Sequence, residues 1–178
     1  MGERLLGSVE TLGQLVATFS LLGCLCLLAA PPPMNSPEFA KLLTLAGDWR
    51  GESNSGMKIR VTFRAISGGT TLLETIVPDR VPEMLSVYHP SGEHVMMTHY
   101  CCTNSQPRMC TRQTTPGLKE LNFKFLDGTN MANATDVPMH ELTVRFRDPD
   151  HFQQEWRSAV PGDKPMLIEY TRLKPAGR

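Results

Sequence analysis

The chain has 178 residues, 40% of them hydrophobic, with 18 basic and 18 acidic side chains and a formal net charge of zero. That length suits one self-sufficient domain with an appendage. No run of lysine or arginine occurs, which argues against nucleic acid as a partner, since that capture depends on clustered positive charge.

The N-terminal segment differs in kind from the rest. No charge falls between Glu10 and Glu38, and residues 15–30, LVATFSLLGCLCLLAA, are almost entirely apolar. Such a run is long for a signal-peptide core and short of the roughly 20 residues that cross a bilayer comfortably. The stretch AAPPPMNSP then breaks any helix and reads as a linker. Two expectations follow. Either residues 15–30 export the protein or attach it to a membrane, or Met34 is the true start, residues 1–33 are an over-extended translation and the protein is cytoplasmic. Under both, residues 34–178 form the domain.

NSPEFAKLLTLAGDW then reads as one short helix. Ser36 can cap it, Pro37 suits its first turn, and Glu38 sits where the helix dipole favours an anion. Phe39, Leu42, Leu43 and Leu45 form its apolar stripe, and Gly47 is expected to stop it.

From there the period switches to two. MKIRVTFRA alternates Met57, Ile59, Val61 and Phe63 against Lys58, Arg60, Thr62 and Arg64, and ELNFKF and HELTVRFR repeat the pattern. Fourteen glycines and fourteen prolines supply the turns between, in SGGT, HPSGE, TPG, LDGTN, RDPD and VPGDKP. About ten strands are predicted, near 48–54, 57–65, 70–77, 83–89, 93–102, 107–113, 119–126, 139–147, 151–159 and 165–173. An antiparallel meander with one apolar face must bury that face and dispose of its edges, and closure into a barrel does both. A two-sheet sandwich is the alternative. The fold class is therefore all-β, an antiparallel meander closed into a barrel of about 8–10 strands, with a short N-terminal helix.

A short helix, Gly-Asp-Trp at 47–49 entering the first strand, a meander, and Arg172 in IEYTRL on the last strand together resemble the calycin superfamily, the lipocalins and fatty-acid-binding proteins among them. The resemblance spans about residues 36–174. It implies a lipocalin-like barrel in which Arg172 lies across Trp49 and closes one end. MTHYCCTNSQPRM at 97–109 and DPDHFQQEW at 148–156 resemble more narrowly an uncharacterised bacterial branch of lipocalin-like barrels.

Strand parity nominates the lumen's polar residues. His99 alternates with Val95 and Met97, His140 with Leu142 and Val144, Gln154 with Phe152 and Trp156, and Tyr170 with Met166 and Ile168. Gln106 and Arg108 share a face opposite Pro107 and Met109, and one of them would give the lumen an orienting polar end. Tyr100 has the opposite parity to His99 but adjoins it; His99 with Tyr100 or with Cys110 is the acid–base pairing this stretch offers. The candidate ligand-binding set is thus His99, Tyr100, Gln106, Arg108, His140, Gln154 and Tyr170. The plainer alternative makes His99 a hydrogen-bonded core residue and Arg108 a solvated one.

No metal site is expected, because His99, Cys101, Cys102 and Cys110 match neither paired Cys-x-x-Cys nor His-Glu-x-x-His spacing, and the alternation places Cys101 and Cys102 on opposite faces of a strand. No cofactor is expected either. The nitrobindin branch of ten-stranded barrels holds heme through a late histidine, and here none follows His151, nor does GDWRGES carry that branch's glycine-rich opening. Three cysteines in the domain are an odd number, which is no disulfide scaffold. No nucleophile elbow, phosphate loop or dinucleotide fingerprint occurs.

The leading functional expectation is a carrier of a small apolar or amphipathic ligand. Its alternatives are a small-molecule enzyme with His99 as acid or base, and a filled barrel serving as a partner-interaction module. Lumen volume separates them, since ligand pockets run upward from about 300 Å³. Because all strand periodicity lies downstream of the proline-rich linker, a chain beginning at Met34 should show a cooperative, β-rich thermal transition by circular dichroism. An unfolded or aggregated product would refute that boundary.

Overall fold

In the computed structural model, residues 36–114, 116–131 and 139–174 are described, without the side chains of 112–114 and 116. The expectations for residues 1–33 lie outside them. Helix α1 (Pro37–Leu43) begins as its sequence dictates: Ser36 Oγ accepts from Phe39 N at 3.2 Å, and Pro37 needs no partner at the first position. The Ser36 hydroxyl in turn donates to Glu38 at 2.9 Å. The helix ends at a Thr44 cap, so Gly47 does not stop it; with φ +126° it opens the first strand instead.

Ten strands follow: β1 (Gly47–Ser53), β2 (Lys58–Ile66), β3 (Thr71–Pro78), β4 (Met84–Ser91), β5 (His94–Tyr100), β6 (Gln106–Thr114), β7 (Glu120–Thr129), β8 (Glu141–Asp148), β9 (His151–Arg157) and β10 (Met166–Arg172). Each pairs antiparallel with its chain neighbours, and β1 pairs with β10 to close the barrel. The sandwich alternative is thereby excluded. The predicted alternation decides what points inward: Ile59, Val61 and Phe63 on β2, Val95 and Met97 on β5, Leu121 and Phe123 on β7, and Leu142 and Val144 on β8 are all buried.

Register makes the end-plug. Trp49 on β1 stands opposite Arg172 on β10, and the guanidinium carbon sits 4.0 Å from the indole ring centre. Trp49 is 1% exposed, donates from Nε1 to the Leu45 carbonyl at 2.7 Å, and meets Phe152 edge-on at 4.7 Å. Arg172 donates to the carbonyls of Ala46 (2.8 Å), Thr44 (2.9 Å) and Pro149 (3.0 Å). Phe39 and Leu42 of α1 join the same buried core. Since β1 runs away from this plug and β10 runs toward it, Met57, Met166 and Ile168 lie toward the other end.

Gly51 has one positional duty. It faces Tyr170 across the β1–β10 ladder, and the Tyr170 ring passes 2.5 Å from where a Cβ would stand, so any side chain would evict it. That approach lets Tyr170 stack on Phe152 with ring centres 4.5 Å apart and planes 8° from parallel.

Trp49→Ala should cost about 3–5 kcal/mol in denaturant unfolding, as other large-to-small core changes do. A double-mutant cycle with Arg172→Ala should return a coupling of about 0.5 kcal/mol or more. Additive effects would contradict the stacked pair.

Candidate functional site

At the end of the barrel away from Trp49 lies a cavity of about 230 Å³. Its wall is almost wholly apolar. Met57, Met84, Met139 and Met166 contribute from four different chain segments, with Ile59, Ile76, Ile168 and Trp156 deeper in, and the exposed Val81 and Cys102 mark its mouth. Methionine chains are unbranched and polarizable, which makes such a wall adaptable.

Three of the seven expected ligand residues reach this cavity: His99, Gln154 and Tyr170. His99 is 3% exposed; its Nδ1 lies 3.0 Å from Ser86 Oγ, and its ring tilts against Trp156 with centres 5.1 Å apart. Nε2 has no hydrogen-bond partner among the described residues and remains the ring atom free for a ligand. Burial lowers the His99 pKa from 6.5 to about 4, so the imidazole is neutral at pH 7.

Beneath His99 is a buried polar network. Gln154 donates to Glu74 Oε1 at 2.8 Å and accepts on Oε1 from Trp156 Nε1 (3.2 Å) and the Tyr170 hydroxyl (3.3 Å). Tyr88 donates to Glu74 Oε2 at 2.7 Å. Burial raises the Glu74 pKa, opposed in part by hydrogen bonds from Tyr88, Gln154 and Ser86. Register aligns the key members: Glu74 on β3 faces Ser86 on β4, which faces His99 on β5. A carboxyl, a hydroxyl and an imidazole thus form one row across three strands, ending at the cavity.

The other four expected residues lie elsewhere. Tyr100 is 48% exposed on the outer face. β6 turns Pro107, Met109 and Thr111 inward, which sends Gln106 and Arg108 outward. Gln106 there accepts from Thr129 (2.7 Å) and Asn130 (2.8 Å), while Arg108 forms an ion pair with Asp127. His140 immediately precedes β8, its backbone bonded to Phe125 and Arg157 of the neighbouring strands, and it is half-buried but does not line the cavity. Its ring tilts against Phe125 with centres 4.3 Å apart and planes 43° from parallel, its Nδ1 buried without a partner among the described residues.

Sequence parity had the means to find Glu74, which alternates with Leu72 and Ile76 in TLLETIVP. Ser86 and Tyr88 carry no such signal, because their outward neighbours Leu85 and Val87 are the more apolar pair. β5 also stops at Tyr100, so Cys101 and Cys102 do not sit on opposite faces of a strand: both line the cavity.

The pH dependence follows with its sign. The unfolded chain protonates His99 near 6.5 and the folded chain only near 4. Stability is therefore whole above 6.5, falls as pH drops toward 4, and loses about 3 kcal/mol over that window. Glu74, with its raised pKa, acts oppositely: its contribution declines as pH rises. Comparing wild type with His99→Asn cancels that term. Between pH 7 and 4.5 the wild type should lose roughly 2 kcal/mol more than the variant in denaturant melts. Equal losses would contradict a buried neutral imidazole.

No family model and no curated protein matches the chain. Twelve chains of solved structures are similar to it, among them the crystal structure of Rv2717c from M. tuberculosis, with a TM-score of 0.56 and 14% identity. That likeness covers 78% of this chain and 98% of the other, and at this identity it shows the fold alone.

Proposed function

We propose that the protein is a calycin-type barrel that binds a small apolar molecule, or the apolar end of an amphipathic one, in the cavity beside His99. The observation that carries this reading is a cavity of about 230 Å³ whose wall is apolar except near a neutral histidine with a free Nε2. The stacked Trp49–Arg172 pair supports the calycin assignment. At about 230 Å³ the cavity falls short of the ~300 Å³ from which ligand pockets usually run, so its volume alone does not separate a carrier from a filled barrel, and a ligand there has to be compact rather than a whole fatty acid. The four methionines allow modest expansion. A neutral imidazole, beside a Glu74 whose pKa burial raises, suits an uncharged polar group, such as a hydroxyl or carbonyl, rather than an anion, which would meet no buried cation among the described residues there.

A second reading, catalysis with His99 as acid or base, draws on the Glu74–Ser86–His99 row, since a hydroxyl that both donates and accepts can couple the two titrating groups.

The test is titration of a compact, environment-sensitive apolar dye such as a naphthalene sulfonamide into the protein. Wild type should bind it saturably. Met84→Trp, which fills the wall, should weaken binding by about tenfold or more, a loss of about 1.4 kcal/mol, and His99→Ala should alter affinity for dyes bearing a hydroxyl. Failure of wild type to bind any such dye would favour a filled barrel acting through its outer surface.

A further inference from the structure

Strand β5 ends one residue before two adjacent cysteines, and the chain turns there. The Cys101 amide donates to the Ser105 carbonyl at 3.0 Å, the Asn104 amide donates to the Cys101 carbonyl at 3.0 Å, and Asn104 takes φ +69° to complete the turn. Strand alternation is lost in this turn, and Cys101 and Cys102 both line the mouth of the cavity. Both thiols are free, Cys102 exposed and Cys101 half-buried. The Thr103 hydroxyl donates to Cys101 Sγ at 3.1 Å. The Cys102 pKa is raised, first by partial desolvation and then by the adjacent Cys101 sulfur, which fits two thiols near one another.

Adjacent residues have Cα atoms about 3.8 Å apart. Unstrained disulfides want roughly 4.4–6.8 Å, so a direct sulfur–sulfur bond between neighbours is disfavoured. A soft trivalent atom inserted between the sulfurs lengthens the bridge and removes that obstacle. Thiolate is a soft ligand that prefers soft centres, and arsenic(III) is a soft centre.

We propose that Cys101 and Cys102 form a dithiol capture site for trivalent organoarsenicals, with the apolar substituent seated in the cavity. The seating rests on the small-ligand reading of that cavity; the chelation does not. For an oxide R–As=O, two As–S bonds form and the As–O double bond breaks. The two thiol protons leave with the oxygen as water, and arsenic stays trivalent, so no oxidant or reductant is needed. Met57, Met84, Met139 and Val81 surround the seat with apolar, deformable surface. Cys110, half-buried with its β6 parity outward, has no second cysteine beside it among the described residues.

The probe is phenylarsine oxide, added to reduced protein carrying Cys24→Ser and Cys26→Ser, which is the wild type of these comparisons and keeps only Cys101, Cys102 and Cys110, and followed by intact mass. The wild-type adduct should survive excess 2-mercaptoethanol and leave with 2,3-dimercaptopropanol. In Cys101→Ser and in Cys102→Ser, monothiol release should be at least about a hundredfold faster, the usual gain from an intramolecular second contact. Cys110→Ser should match wild type. Equal release from wild type and Cys101→Ser would overturn the chelate. The seat is tested separately with methylarsine oxide and Met84→Trp. The phenyl adduct should be held longer than the methyl one in wild type, and filling the wall should erase that advantage. A stable chelate whose lifetime ignores both changes would overturn the seat while leaving the dithiol. Failure of wild type to bind apolar dyes alongside a size-sensitive chelate would overturn only the general carrier reading.

Discussion

The Arg172 guanidinium does three jobs from one position. It covers the Trp49 ring, ties the chain after α1 through the Thr44 and Ala46 carbonyls, and anchors the β8–β9 turn through Pro149. Hydrogen bonds to a charged donor contribute about 1.5–3 kcal/mol each, and the ring contact about 0.5–2 kcal/mol. Lysine cannot replace this arrangement, because one ammonium has neither the planar fork nor the reach to serve three carbonyls while lying flat on indole. With that end stopped by Trp49 and Phe152, access to the lumen is left to the end where Cys102 and Val81 lie.

The closed sheet also dictates the chemistry inside. Glu74, Ser86 and His99 meet only because the β3–β4 and β4–β5 registers place them opposite one another. A one-residue slip of β4 would turn Ser86 and Tyr88 outward and leave the Glu74 carboxyl buried without its tyrosine donor. Burial moves the two titrating members toward neutrality from opposite sides, Glu74 upward and His99 downward. The network thus holds several polar groups, each hydrogen-bonded to another, inside an apolar barrel.

Much of the architecture was legible. Alternation found every strand to within a few residues, because a barrel wall buries one face along its whole length, and the Gly47–Trp49 and Arg172 ends identified the plug. The interior was read less well, and for identifiable reasons. Parity was carried two residues beyond β5, through a turn that Asn104 makes possible, which separated Cys101 from Cys102 when they belong together. Arg108 and Gln106 sit on a strand whose inward residues, Pro107 and Thr111, are weak hydrophobic markers. Glu74 was missed because a charged residue within an apolar alternation reads as an interruption; of its partners, Tyr88 is on the next strand and Gln154 lies 80 positions along the chain.

Closure by the first and last strands imposes a schedule on synthesis. Ala46 and Arg172 are 126 positions apart, and at about 5–20 residues per second roughly six to twenty-five seconds pass between them on the ribosome. Through that interval β1 has one neighbour and one open edge, and Trp49 waits uncovered. Arg50 and Glu52 project outward beside that edge, and charged side chains there discourage pairing with another chain. Arg50 and Glu52, the latter ion-paired with Lys58 on the finished surface, are thus the charges that flank this edge until Arg172 arrives.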